Sequence, residues 1–345
     1  MSFQITIKPS NHIYTSEGDE TILDSALREG FTIPYGCRNG ACGSCKGKVL
    51  EGSVNYGEYQ ESALSEAEKA DGYALFCCAI PLSDLVIECR EVGAAKDIPV
   101  KTLPCRVQSI EKVSPDVAIL SLKLPANENL RFLAGQYIDI LLKGGKRRSF
   151  SLANAPHDND CLQLHIRHVA GGEFSDFVFN QMEAKAILRF EGPLGTFFLR
   201  EDSDKPIILL ATGTGFAPIK GIIDHALYSG IDREMVLYWG GRTLSDLYMV
   251  EHAKKWQEGH PNITVIPVLS QPAPEDNWQG RTGHVQDAAL KDFGTLGGYQ
   301  VYACGQPKMV EDAHRLFTAN GLPDEEFFSD AFTFARDRKP VLPQA

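Results

Sequence analysis

The chain has 345 residues, 43% of them hydrophobic and 23% charged. That is length for two or three domains and too much apolar content for a disordered chain. Its formal charge of −11 argues against a nucleic-acid partner, which would ask for a basic face, and no apolar run reaches the roughly 20 residues of a membrane span.

The opening, MSFQITIKPS, lacks the apolar core of a secretory signal. Nine cysteines, four of them tightly patterned, point to metal binding in a reducing compartment, so a cytoplasmic location is expected. Residues 2–8 alternate like a strand. Thr21, with Asp24 three residues on, opens a helix over 22–29 in capping-box fashion, and Gly30 closes it as a left-handed cap. A Gly- and Cys-rich loop covers 36–47, with strands predicted at 48–50 and 85–89. Residues 1–93 hold 7 Lys/Arg against 14 Asp/Glu. The acidity suits a partner with basic patches, or else a solvated surface.

In the loop the spacing is Cys37-x4-Cys42-x2-Cys45, with Cys77 following after 31 residues. This is the spacing of plant-type [2Fe–2S] ferredoxins. Two irons bridged by sulfides need four thiolates. Gly36, Gly40 and Gly43 let the backbone wrap close, so that N–H groups can face the sulfurs. A zinc site, the alternative, more often uses paired Cys-x2-Cys units. Cys78 competes with Cys77 as fourth ligand. Here the chain resembles plant-type ferredoxins, whose last ligand precedes x-Ala-x-Pro and Ser-Asp. Ala79, Pro81, Ser83 and Asp84 fit that pattern with Cys77 as ligand, which would turn Cys78 away into the small core. Cys89, Cys105 and Cys161 read as buried small hydrophobes.

Residues 94–101 read as a linker. From 102 to 203 short β-like segments, at 103–110, 117–124, 137–142, 162–169 and 186–191, are separated by Gly and Pro, which favours an antiparallel barrel. Within it, Arg148-Ser149-Phe150-Ser151 resembles the Arg-x-Tyr/Phe-Ser/Thr motif of the ferredoxin–NADP reductase superfamily. The resemblance implies an arginine on the flavin diphosphate, an aromatic beside the isoalloxazine and a hydroxyl near its N5. Gly171, Gly172 and Ser175 resemble the Gly-x-x-Ser segment of that family, where a helix N-terminus faces the flavin phosphates. Glu191-Gly-Pro-Leu-Gly195 reads as the turn closing the barrel. His165 and His168 lie three apart on a strand and should diverge rather than share a metal.

From 204 to 335 apolar strands at 206–211, 235–239, 263–269 and 300–303 alternate with helices near 217–229, 244–256, 284–293 and 308–320. This implies a parallel sheet with crossover helices. Thr212-Gly213-Thr214-Gly215-x-x-Pro218 follows a strand and opens a helix, where glycines admit a pyrophosphate and proline fits the first turn. It resembles the Gly-x-Gly-x-x-Pro turn of the same superfamily. Cys304 and Gly305 sit at a strand end where open α/β sheets bind ligands, and the resemblance puts the cysteine near the nicotinamide. Gly241 and Arg242 end another strand and are candidates to touch the nucleotide. Gln271 stands where NADP-preferring relatives commonly carry arginine, which favours NADH, with NADPH the alternative. Phe332, or else Phe334, resembles the aromatic placed against the flavin. Residues 336–345 read as a polar tail.

Over residues 2–335 the chain is identified as a member of the iron–sulfur flavoprotein reductases with an N-terminal ferredoxin domain. The expected fold class is multidomain α+β and α/β: a β-grasp [2Fe–2S] domain, an antiparallel β-barrel flavin domain and a parallel-sheet nucleotide domain. The resemblance implies [2Fe–2S], FAD and NADH, with Ser151, Cys304 and Phe332 nearest the hydride chemistry. It also implies a redox partner, either an oxygenase component or a deoxyhexose dehydrase. The ending Phe327-Phe-Ser-Asp-Ala-Phe332 is most similar to the dehydrase group. An iron–sulfur sensor would not need complete flavin and nucleotide motifs. A self-contained reductase of a small molecule would call for a substrate domain that the sequence does not display.

Overall fold

The computed structural model describes residues 2–93 and 98–333. The chain divides into two compact units, one comprising residues up to Pro99 with the segment from Phe332, the other Val100–Ala331. Residues 94–97 of the expected linker, Phe334 and the tail at 336–345 lie outside the described residues.

The first unit is a mixed five-stranded sheet with a helix against it. Its elements are β1 (Ser2–Lys8), β2 (Ile13–Glu17), α1 (Ile22–Arg28), β3 (Lys46–Glu51), β4 (Val54–Asn55), α2 (Glu66–Ala70), β5 (Tyr73–Leu75), β6 (Ile80–Pro81) and β7 (Leu85–Glu88). The order is β2-β1-β7-β3-β5, with β4 and β6 forming a separate pair. Strand β1 pairs antiparallel with β2 and parallel with β7, the β-grasp arrangement. Ile5 and Ile7 point inward between outward Gln4 and Thr6, and meet Ile22, Leu23 and Ala26 of α1 in one buried layer. Thr21 caps α1 by accepting from the Asp24 amide at 3.0 Å, and Gly30 follows at φ +81°.

The second unit holds two sheets. The first runs β11-β10-β13-β8-β9-β12, built from β8 (Lys101–Ser114), β9 (Val117–Lys123), β10 (Tyr137–Leu141), β11 (Arg147–Ser151), β12 (Leu162–Arg167) and β13 (Ile187–Leu194), with α3 (Glu173–Asn180). Every pairing is antiparallel, and a bridge between Leu152 and Leu164 joins the two edges into a barrel. Leu103, Cys105 and Val107 alternate into its core with Leu120, Ile138, Leu164 and Phe190. Of the three cysteines expected to be buried, only Cys105 is; Cys89 and Cys161 are half-buried. Each of those two sits at a strand end, Cys89 just after β7 and Cys161 just before β12.

The second sheet is wholly parallel, in the order β17-β16-β15-β14-β18-β19. Its elements are β14 (Ile207–Thr212), α4 (Phe216–Tyr228), β15 (Met235–Gly241), α5 (Val250–Gly259), β16 (Ile263–Leu269), β17 (Arg281–Thr282), α6 (Val285–Phe293), β18 (Gln300–Gly305), α7 (Pro307–Ala319) and β19 (Phe327–Ala331). Residues 207–211 and 300–305 are buried without alternation, as strands covered on both faces must be. The chain leaves central β14 toward β15 and returns later to β18 on its other side. That change of direction opens a crevice at the C-terminal strand ends.

Candidate functional site

Three regions hold the residues singled out by sequence. In the cluster loop, the Cys37 amide donates to Cys42 Sγ at 3.3 Å and the Ala41 amide to Cys37 Sγ at 3.4 Å. Gly40 and Gly43 take φ +72° and +78°, the conformations that let those amides turn inward. The sulfurs fall into two hydrogen-bonded pairs, Cys37 with Cys42 and Cys45 with Cys77. Hydrogen bonds from Cys42 and from Cys45 hold the Cys37 and Cys77 thiols below the usual range. Two pairs of soft donors, each with one member readily ionised and met by backbone N–H groups, fit two irons held by two thiolates apiece.

The structure corrects one expectation here. Cys78 does not turn into the small core: its sulfur lies 3.6 Å from Cys77 Sγ and is half-buried. Residues 76–78 form a turn rather than a strand, so consecutive side chains need not face opposite ways.

In the barrel, the Arg148–Ser151 motif is itself the edge strand β11, paired with β10. Lys146 donates to Glu173 at 2.7 Å at the start of α3, with the Arg148 guanidinium adding a weaker attraction, and the Phe150 and Phe174 rings lie 5.3 Å apart. Basic side chains, two aromatic rings and one helix N-terminus are thus gathered, with Gly172 as the N-cap and, among the described residues, no side chain capping it. Its first-turn N–H groups and dipole suit a phosphate. The Ser175 hydroxyl is spent within its own loop, donating to Val169 O at 3.1 Å and accepting from the Val169 amide at 3.1 Å, so it braces this N-terminus. Gly171, at φ +72°, makes the preceding turn. The Ser149 hydroxyl donates to Asp139 at 2.6 Å.

Ser151 is buried, and its hydroxyl donates to Asp330 Oδ2 at 3.2 Å. Asp330 on β19 stands opposite Cys304 on β18 in the parallel register. Cys304 is fully buried, and burial first, then Asp330, pushes its thiol well above the ordinary range. Ser151, Cys304 and Asp330 therefore form one group at the strand ends. Cys304→Ser is expected to leave iron content unchanged and to slow flavin reduction by NADH about tenfold or more in stopped flow, an increment of ~1.4 kcal/mol; an unchanged rate would assign the thiol to packing alone.

At the glycine turn after β14, Gly215 has an ordinary helical φ of −59°, so its need is for space: a Cβ there would overlap the Cys304 carbonyl. Thr212 Oγ1 accepts from the Gln306 amide at 2.9 Å, tying the β14 turn to the one after β18, with Gly305 packed against Thr212. Gly213 takes φ +54°, and its carbonyl accepts from Trp239 Nε1 at 3.1 Å. Thr214 lies between the two glycines, and Pro218 falls in the first turn of α4. Gly241 and Arg242 follow at the end of β15. The Arg242 amide donates to Asp246 Oδ2 at 2.8 Å, and Gln271 bonds back to the Arg242 carbonyl at 2.9 Å. Phe332 is half-buried and directly follows Ala331.

Two residues escaped the sequence reading. Arg167 lies against Gly213, within 3.4 Å of where a Cβ would stand. Its Nη1 reaches Asp116 and Asp246 at 3.3 Å, while among the described residues its buried Nε and Nη2 have no hydrogen-bond partner. Buried donors left open beside a glycine turn suit an anion. Asp330 was part of a quoted segment but carried no role. Strand alternation could have set Arg167 on one face with His165, but the contacts of both residues depend on tertiary pairing. His165 and His168 do diverge, to Tyr248 at 2.8 Å and to Asp176 at 2.6 Å, and burial holds His165 neutral, down to about 3.

The chain matches three families: the 2Fe-2S iron-sulfur cluster binding domain over residues 5–82, the oxidoreductase FAD-binding domain over 104–199 and the oxidoreductase NAD-binding domain over 209–315. It is 42% identical to CDP-6-deoxy-L-threo-D-glycero-4-hexulose-3-dehydrase reductase of Yersinia pseudotuberculosis, over 96% of this chain and 99% of that one. It is 36% identical to the reductase component of phenol 2-monooxygenase from a Pseudomonas species, over 98% and 96%. Among solved structures, an Amycolatopsis cytochrome P450 reductase superposes with a TM-score of 0.77 at 34% identity, over 96% and 99% of the two chains.

Proposed function

The chain belongs to the iron–sulfur flavoprotein reductases, NAD(P)H-dependent oxidoreductases that join [2Fe–2S], FAD and nucleotide domains in one polypeptide, and on that premise we propose that it delivers electrons from NADH to a separate protein, a deoxysugar dehydrase or an oxygenase component. The observation that carries the proposal is the single chain's full set of sites: two sulfur pairs in the first unit, and in the second the Ser151–Asp330–Cys304 group beside an uncapped helix N-terminus and a glycine turn. The relatives named as reductases of a dehydrase and of a monooxygenase match almost end to end.

The residues have separable tasks. Cys37, Cys42, Cys45 and Cys77 hold the cluster. Arg148 and the amides opening α3 hold the flavin diphosphate, with Gly171, Gly172 and Ser175 shaping that turn. Phe150 flanks the ring. Thr212, Gly213, Thr214, Gly215 and Pro218 form the pyrophosphate turn, with Arg167 as its cation. Gly241, Arg242 and Gly305 border the nucleotide. Ser151, backed by Asp330, and Cys304 line the place of hydride transfer. When bound, the flavin supplies the exchange between hydride and single-electron chemistry. Metal and cofactor analysis of the purified chain tests the reading: one FAD and two irons per chain are expected, and zinc in place of iron would overturn it. A cytoplasmic location belongs to the same reading, since cysteines patterned to hold a cluster suit a reducing compartment.

NADH is the preferred donor in this reading. Gln271 offers no charge to a 2′-phosphate, and the Arg242 guanidinium stands 3.7 Å from the Asp246 carboxylate. A kcat/KM at least about tenfold higher with NADH than with NADPH is expected, ~1.4 kcal/mol of discrimination; equal values would contradict it. The acidic first 93 residues should steer a basic partner. Partner reduction should slow as salt rises past 0.1 M, where the Debye length is about 10 Å, and a flat salt profile would reduce the acidity to a matter of solubility.

A further inference from the structure

Cys77 and Cys78 stand in a turn in which the Cys78 amide donates to Leu75 O at 2.9 Å, as does the Ala79 amide. This turn brings the two sulfurs to 3.6 Å. Cys78 is enclosed from two sides, its sulfur on one and its carbonyl on the other. Its sulfur lies 2.8 Å from where a Cβ on Gly40 would stand, and its carbonyl presses on Gly57. Both glycines have positive φ, +72° and +66°, so the cluster loop and the following segment close around this side chain only because they carry no Cβ there. Among the described residues, Cys77 Sγ is the polar partner of the Cys78 thiol.

Between two free thiols either sulfur could donate. A sulfur bound to iron has no proton to give, so with the cluster in place the direction is fixed, from Cys78 to Cys77. We propose that Cys78 is a positioning residue of the iron–sulfur centre, whose thiol donates a hydrogen bond to the ligand sulfur of Cys77 and thereby favours the reduced cluster. The proposal rests on the reading that Cys77 is a ligand. One-electron reduction adds negative charge to the cluster and its sulfurs. A donor aimed at one of those sulfurs is strengthened by the added charge, so it stabilises the reduced state more than the oxidised one.

The test is an EPR-monitored potentiometric titration of the purified full-length protein and its variants, with iron content measured on the same samples. Cys78→Ala is expected to keep two irons and to disfavour reduction by about threefold to tenfold in the equilibrium constant, tenfold being ~59 mV for one electron. Cys78→Ser, which keeps a donor, should stay closer to the parent. An unchanged midpoint in Cys78→Ala overturns the proposal. If Cys78→Ala fails to load, Cys78→Ser decides: a loaded cluster near the parent potential supports the hydrogen bond, and a lost cluster makes Cys78 a ligand and overturns it. A parent protein without iron would instead overturn the underlying reading.

Discussion

Cys42→Ser is expected to abolish the cluster while leaving NADH oxidation through the flavin intact. Cys42 lies within the loop, receives the Cys37 amide and pairs with the Cys37 sulfur. Serine replaces a soft thiolate with a hard, weakly acidic hydroxyl, which iron–sulfur chemistry disfavours. The second unit has its own barrel core and its own parallel sheet, so flavin and nucleotide binding should survive. Ferricyanide, small enough to meet the flavin directly, should then be reduced at close to the parent rate. Cytochrome c, a protein acceptor, should be reduced at least about a hundredfold more slowly, ~2.7 kcal/mol in barrier terms. The two assays diverge in one variant, which general unfolding cannot imitate. Cytochrome c reduction at the parent rate would make the cluster peripheral.

Gly215→Ala should have the opposite pattern. Its Cβ would overlap the carbonyl carbon and oxygen of Cys304, which belong to backbone and cannot swing aside. The turn after β14 must move away from the end of β18, and the bond from the Gln306 amide to Thr212 must stretch. Overpacking of this kind costs about 1–3 kcal/mol. Since it falls between the turn proposed to hold the pyrophosphate and Cys304, it should appear as a loss of about tenfold to a hundredfold in kcat/KM for NADH. Iron content, FAD content and cluster potential should stay those of the parent. A nucleotide affinity and flavin-reduction rate equal to the parent's would show that this contact has no part in binding.

Local chemistry was the legible part of this chain. The cluster loop could be read because three of its four cysteines lie within nine residues, and the α1 cap because Thr21 and Asp24 are three apart. The parallel sheet was legible from unbroken apolar runs such as Ile207–Ala211. Strand β11 was not, because Arg147-Arg-Ser-Phe-Ser151 has no apolar face; it is a strand only because β10 pairs with it along its length. The helix expected at 244–256 begins at Val250 instead. Asp246 accepts from the amides of Arg242 and Thr243, so residues 244–246 make only a single tight turn. Asp330 and Arg167 gain their meaning from neighbours far away in sequence, Ser151 and Cys304 for one, Gly213 for the other. The placement of Cys78 was misjudged because tandem cysteines suggest opposite faces, whereas a turn carries them together.

The central claim is that electrons pass from NADH to the cluster within one chain. Anaerobic rapid mixing of the purified protein with NADH, with cluster reduction followed by freeze-quench EPR at several protein concentrations, tests it most directly. The cluster should become reduced at a first-order rate that does not change with protein concentration. A cluster that stays oxidised, or one reduced at a rate proportional to protein concentration, would contradict it.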